Sequence, residues 1–302
     1  MITFICCSIN PTYAETLRAN IERTIGDIPF EFIAFDNRCA KLGICEVYNS
    51  AADKSLYDNL CFLHEDVKFV TEDWGTEIIN KMAEDDCGVI GFAGSVMKMC
   101  FPSGWSLNRT NTRHHYVQHY NNSKRKKKES LKRRNPDKVA YSEVVVLDGL
   151  ALFIAKRVWK ECPFSQDFLT GFHCYDVDIT LKVANAGYKN YVTNKLLIEH
   201  FSAGSFSESW RIDTIRLHNK WKHQLPMFAS SLSKEYIAKH SPKAFYNSIK
   251  HMVKFDLYID YSPSEIATHI MKHPFNISSW KLIQYYRKYK SKYSLYQNQG
   301  KL

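Results

Sequence analysis

The chain has 302 residues, 45% hydrophobic and 24% charged, which excludes disordered, collagen-like and fibrous classes and suits one large core with a smaller appendage. No run approaches the roughly 18–20 apolar residues of a membrane span. Most of the +10 formal charge is local, because Lys124 to Arg134 holds eight bases against one acid; a wholly basic surface is not indicated, and no nucleic-acid partner is expected.

Met1 to Cys7 lacks a basic stretch ahead of a long apolar one, so it reads as a first strand rather than a leader, and the expected compartment is the cytoplasm. Nine cysteines, an odd number with no C-x-x-C pair, fit reduced thiols acting as small hydrophobes. After the strand 2–9, Tyr13, Leu17, Ile21 and Ile25 recur every four residues and predict a helix over 12–25. Phe30 to Phe35 is a second strand, 43–57 a helix, Leu60 to Leu63 a third strand, 74–84 a helix and Gly88 to Ala93 a fourth strand. This alternation predicts a largely parallel sheet covered by helices, with ligands bound beyond the carboxyl ends of the strands. Asn10, Asp36 and Asp66 each follow such an end.

Residues 98–140 show weak periodicity and read as a long loop region. Glu143 to Leu147 and Ala151 to Ile154 are strands, a helix runs through Val158 and Trp159, and 175–186 is a helix stopped at Gly187. Tyr188 to Val192 and Leu196 to Ile198 are strands. From Ser207 the chain reads as mainly helical, with Pro226, Pro242, Pro263 and Pro274 as breaks.

Three places carry chemistry. His64-Glu65-Asp66 follows an apolar strand, where a carboxylate can hold a divalent cation against phosphate charge. Asp66 is the expected ligand, and His64 approaches the metal or the diphosphate. Asp176 and Asp178 open a helix; they cap it, or one of them removes a proton from an acceptor hydroxyl, with Asp176 the first choice and Asp178 the second. His200, at the end of another strand, offers a neutral imidazole to a metal.

The order of these motifs resembles the inverting GT-A glycosyltransferases of the family two class. It is most similar to the glycosyltransferase-like subgroup named for streptomycin biosynthesis, over residues 2–225. That subgroup's H-x-D-V element appears as His64-Glu65-Asp66-Val67, and its later E-D-x-D element as Tyr175-Asp176-Val177-Asp178, with Tyr175 in place of the leading acid. Phe164 to Phe168 resembles its F-D-x-x-F element, and Lys220-Trp221 and Leu225-Pro226 resemble its ending. The resemblance implies a GT-A-like catalytic domain over 1–225 and a helical extension over 226–302. It implies a Mn²⁺ or Mg²⁺ ion held by Asp66 and His200, and a nucleotide-sugar donor contacted by Ser8, Asn10, Asp36, Asn49, His64 and Asp148. It also implies inversion at the sugar and a saccharide or lipid-linked saccharide acceptor.

The run Lys124–Arg134 is open to four readings: a solvated loop, an attachment to anionic lipid headgroups, nucleic-acid binding, disfavoured because interleaved aromatics are absent, or closure over the diphosphate. The aromatic-rich tail around Trp280 and Tyr285 suits packing or a membrane interface. Two competing functions are a nucleotidyltransferase, disfavoured because Ser8-Ile9-Asn10-Pro11 lacks a glycine-rich phosphate loop, and a non-catalytic binding protein on a degenerate transferase scaffold.

Overall fold

The computed structural model describes residues 1–106, 109–120, 128–202, 204, 206–257, 267–268, 270–271 and 277–298. The chain forms two compact units, Met1–Val96 with Arg113–Ser205, and Met97–Thr112 with Phe206–Leu302. The division drawn from sequence at residue 225 differs from this one. Residues 206–225 join the helical unit because Trp210 shares a core with Phe101, Phe245, Ile249 and Leu282.

The first unit starts with β1 (Ile2–Ser8), α1 (Pro11–Thr24), β2 (Phe30–Asp36), α2 (Asn37–Ala40) and α3 (Ile44–Lys54). It continues with β3 (Asn59–Leu63), β4 (Val67–Phe69), α4 (Gly75–Met82), β5 (Cys87–Gly91) and β6 (Ala93–Ser95). The short β7 (Met97–Lys98) belongs to the second unit. Then come β8 (Thr112–His119), β9 (Glu129–Arg134), β10 (Tyr141–Val144), β11 (Val146–Leu147), β12 (Ala151–Ala155) and α5 (Lys156–Glu161). The unit ends with α6 (Tyr175–Asn185), β13 (Lys189–Thr193) and β14 (Ile198–His200).

The main sheet has seven strands in the order β10-β13-β5-β12-β3-β1-β2. Five run in one direction, and β12 and β10 are reversed. The expected α/β class, a mostly parallel sheet flanked by helices, therefore holds. The central strands are apolar runs buried along their whole length, as in β5 and β12, because both of their faces are covered. Trp74 stacks on Phe69 with ring centroids 4.5 Å apart, and its indole N–H donates to the Thr24 hydroxyl, so even the largest core side chain has its polar atom satisfied.

Two expectations are corrected. The strand read over 143–147 is two strands in different sheets: β10 pairs with β13, while β11 pairs with β6, and the switch at Val145 is held by its N–H donating to the Ser95 carbonyl. The region 98–140 contains a hairpin, with β8 and β9 in register from His114–Arg134 to His119–Glu129. It was hidden because β8 has no alternating apolar face; backbone pairing with β9 on one side and β14 on the other holds it in place. Lys124 to Lys127 of the basic run lie outside the described residues.

The second unit contains α7 (Glu208–Trp221), β15 (Met227–Phe228), α8 (Lys234–Phe255) and a last helix, Ile277–Asn298. The mainly helical expectation holds, but Pro242 sits inside α8 instead of ending it. The buried stripe Pro242, Phe245, Ile249, Met252 keeps helical spacing, and its burial offsets the hydrogen bond lost at the proline. Pro263 and Pro274 lie outside the described residues. Among the described residues no helix is long and apolar enough to cross a membrane.

Candidate metal and catalytic site

Short strands in the second sheet of the first unit assemble the site. β14 pairs antiparallel with β4, setting His200 opposite Val67, and the Phe201 N–H donates to the Asp66 carbonyl at 3.0 Å. Asp66 and His200 are 134 positions apart in number, yet the ladder fixes their backbones side by side. On the other side of β14, Gln118 donates from its side-chain amide to the carbonyls of His200 at 3.2 Å and Ser202 at 2.6 Å, clamping the ligand-bearing segment. His64 is anchored by its N–H, which donates to the Leu150 carbonyl.

These anchors bring three side chains together. Asp66 Oδ1 lies 3.6 Å from His200 Nε2 and 3.9 Å from His64 Nδ1, and one ligand atom from each residue falls within 4.8 Å of the others. Removal from water, then the neighbouring His200, push His64 down to about 4; burial also lowers His200. Both rings are therefore neutral near pH 7 and have lone pairs to offer. Two imidazoles and one carboxylate fit a first-row divalent cation, with bonds of about 2.0–2.2 Å after a modest inward shift of the side chains.

The helix α6 joins the same place. Tyr175 stands at its first position, and its hydroxyl donates to the Gly149 carbonyl at 3.0 Å and lies 2.8 Å from His64 Nε2. Asp176 Oδ2 accepts from the Gly149 N–H at 3.1 Å. A Cβ at Gly149 would lie 2.2 Å from the Tyr175 hydroxyl, so no larger residue fits this crossing. A chain of contacts thus runs from Asp176 through Gly149, Tyr175 and His64 to Asp66 and His200. Asp148, just before Gly149, is close enough for its charge to help burial raise the Tyr175 hydroxyl far above the ordinary phenol range.

Asp178 is placed differently. It is 1% exposed and accepts from the Ser165 hydroxyl at 2.6 Å, with Lys182 Nζ 4.0 Å away. Its carboxylate ties the 165 segment to α6. Asn49 is similar: its amide donates to the Phe164 carbonyl and Gln166 and accepts from Trp159 and the Phe164 N–H, so it holds the 159–166 segment. Asp36 sits opposite Ser8 in the β1–β2 ladder, accepts from the Arg38 N–H at the start of α2, and pairs with the Arg38 guanidinium at 2.6 Å. Those bonds hold its carboxyl down at about 2.

Glu65 was missed in the sequence. Its Oε2 accepts from the Ser8 hydroxyl at 2.6 Å and from the backbone N–H groups of Ile9 and Asn10 at 3.1 and 3.0 Å. It joins the end of β1, with Ser8 and Asn10, to the His64–Asp66 turn. The Asn10 side chain makes no cap bond to α1. Only the strand register reveals it: Cys6 pairs with Leu63, so two residues onward Ser8 comes level with Glu65.

The sequence profile of a glycosyltransferase-like family matches residues 3–223. No curated protein sequence matches the chain. Among solved structures, a mannosyltransferase from Pyrobaculum calidifontis, described in complex with GDP-Man and Mn²⁺, is 12% identical, with 97% of this chain and 86% of that one covered and a TM-score of 0.45. GalNAc-T7, described with UDP, GalNAc and Mn²⁺, is 11% identical, with 80% of this chain and 48% of that one covered and a TM-score of 0.45. A197 from STIV is 17% identical, with 67% and 86% covered and a TM-score of 0.37. With the profile spanning most of the sequence and the acidic and histidine motifs meeting at one rim, this chain belongs to the glycosyltransferase-like family.

Proposed function

We propose that the protein is a cation-dependent glycosyltransferase that moves a sugar from a nucleoside-diphosphate sugar to a saccharide or lipid-linked saccharide, with inversion. The observation that carries this reading is the joining of the His64, Asp66 and His200 group to Asp176 through Gly149 and Tyr175. A bound Mn²⁺ or Mg²⁺ would neutralise charge developing on the diphosphate leaving group. Asp66, His200 and His64 would hold that ion; the imidazole pair favours Mn²⁺ over the oxygen-seeking Mg²⁺.

Asp176 takes the proton from the acceptor hydroxyl as that oxygen attacks the anomeric carbon, and the nucleoside diphosphate leaves from the opposite side. Inversion is carried over from the resemblance to the inverting family, and a single displacement of that kind needs only one base on the acceptor side. The Gly149 N–H fixes the Asp176 carboxylate during that transfer. Glu65 orders the β1 end, where Ser8, Asn10 and Asp36 would meet the nucleoside. The H-x-D-V element supports placing the protein in the streptomycin-type subgroup. The bases of Lys124–Arg134 would draw it to anionic headgroups at the inner face of a membrane, where a lipid-linked acceptor lies; equal sedimentation of neutral and anionic vesicles would remove that part.

The central test is calorimetric titration of UDP, GDP and CDP with and without Mn²⁺, followed by nucleotide-sugar turnover. Binding that ignores the metal sinks the cation assignment. Metal-dependent binding with no transfer and no sugar hydrolysis would instead favour a binding protein on a transferase scaffold.

A further inference from the structure

We infer that Tyr175 is a positioning residue whose hydroxyl, held between the Gly149 carbonyl and His64 Nε2, selects the His64 tautomer that turns a bare Nδ1 toward Asp66. The inference rests on the cation-site reading above and concerns how this chain prepares that site.

The number of protons available fixes the tautomer. A phenol has one, and the Gly149 carbonyl can only accept, so the 3.0 Å contact takes the Tyr175 proton. The phenol oxygen then faces His64 Nε2 at 2.8 Å with only lone pairs left, and the proton in that contact must come from the imidazole. A neutral imidazole has one N–H. If Nε2 carries it, Nδ1 carries none, and Nδ1 is the atom 3.9 Å from Asp66 Oδ1. A bare nitrogen facing a carboxylate repels it unless a cation comes between them. The tautomer therefore prepares the site for a metal before the metal arrives, the role that outer partners of ligating histidines play generally.

The surroundings fix the phenol. Tyr175 is buried, with Tyr48 at 5.7 Å and Phe164 at 6.1 Å between ring centroids. Gly149 leaves no room for the hydroxyl to be displaced by a side chain of its own. A carboxylate at position 175, the acid of the E-D-x-D pattern, could accept from His64 but would be repelled by the Gly149 carbonyl. A phenol serves both partners at once.

The test has two readouts apart from activity. In the full-length, metal-free protein with ¹⁵N-labelled histidine, two-bond ¹H–¹⁵N correlations distinguish the tautomers, and loss of signals in His64→Gln assigns them. Nε2–H at His64 is expected; Nδ1–H overturns the inference. Tyr175→Phe, checked by its melting transition, is expected to bind Mn²⁺ about 10–100-fold more weakly; wild-type affinity in the folded variant also overturns it. Asp66→Ala separates the two levels of the argument. If that variant binds Mn²⁺ like the wild type, the cation site itself is wrong; if it loses Mn²⁺ while Tyr175→Phe does not, only the tautomer role fails.

Discussion

Among the described residues, two pairs of buried or half-buried histidines have neighbours opposite in charge. In the first unit, His64 and His200 face the carboxylate of Asp66. In the second, His218 on α7 and His251 on α8 feel the ammonium of Lys98, which is 1% exposed and donates to the Ser103 carbonyl, the Ser103 hydroxyl and the Gly104 carbonyl. His218 Nδ1 contacts the Thr214 carbonyl, leaving His218 Nε2 and His251 Nδ1 as buried atoms with no hydrogen-bond partner among the described residues. Burial lowers all four imidazoles. The neighbour decides what the neutral ring is good for. Beside a carboxylate at a sheet rim it is poised to share a cation; beside a fixed ammonium, which repels cations, it serves the core.

The strongest way to break this contrast is Asp66→Ala. It should abolish Mn²⁺ binding and Mn²⁺-dependent nucleotide affinity, a loss beyond the roughly 10–100-fold typical of outer-shell changes. Unchanged affinity by calorimetry would leave the rim imidazoles no different in kind from the core pair. Next comes Asp176→Asn, expected to lower turnover by about 10² or more while nucleotide binding persists; full turnover would remove it as the base. Asp178→Asn should act on the other side of the line between chemistry and packing. Weakening its buried bond to Ser165 should cost about 1–3 kcal/mol in denaturant unfolding, with turnover per folded molecule nearly kept. A collapse of turnover without loss of stability would return Asp178 to the catalytic role.

The smallest expected effect is a slope in pH. Burial, Lys98 and Lys254 push His251 from 6.5 down to about 4, and burial, Lys98 and His251 lower His218. Folding therefore favours the uncharged rings, and between those values the unfolded chain binds more protons. These groups leave stability unchanged above about pH 6.5 and reduce it as pH falls toward 4. Melting curves across that window should show the decline, and His251→Phe should flatten it; an equally steep slope in the variant would assign the decline to other groups.

The rim and the hairpin differ in how far they could be read from the chain. Asp66, Asp176 and His200 each stood at the end or start of a periodic segment, where chemistry is expected in such sheets. Glu65, in a turn, and Gln118, in a stretch of weak periodicity, had no pattern to mark them, because their roles depend on which backbone lies alongside. Asp178 and Asn49 shared the residue types of a site, and only their partners showed that they hold the 159–166 and 165–178 connections.

Residue order alone therefore determined the α/β class, the start of most helices and strands, and the short set of acids and histidines from which a site could be built. These follow from periodicity, caps and turn residues, which act over a few positions. Tertiary structure decided which of those groups meet, what faces His64 Nε2 and which carboxylate is tied into the interior. Those outcomes depend on strand register and on contacts between segments from 13 to more than a hundred positions apart, and no local pattern encodes them.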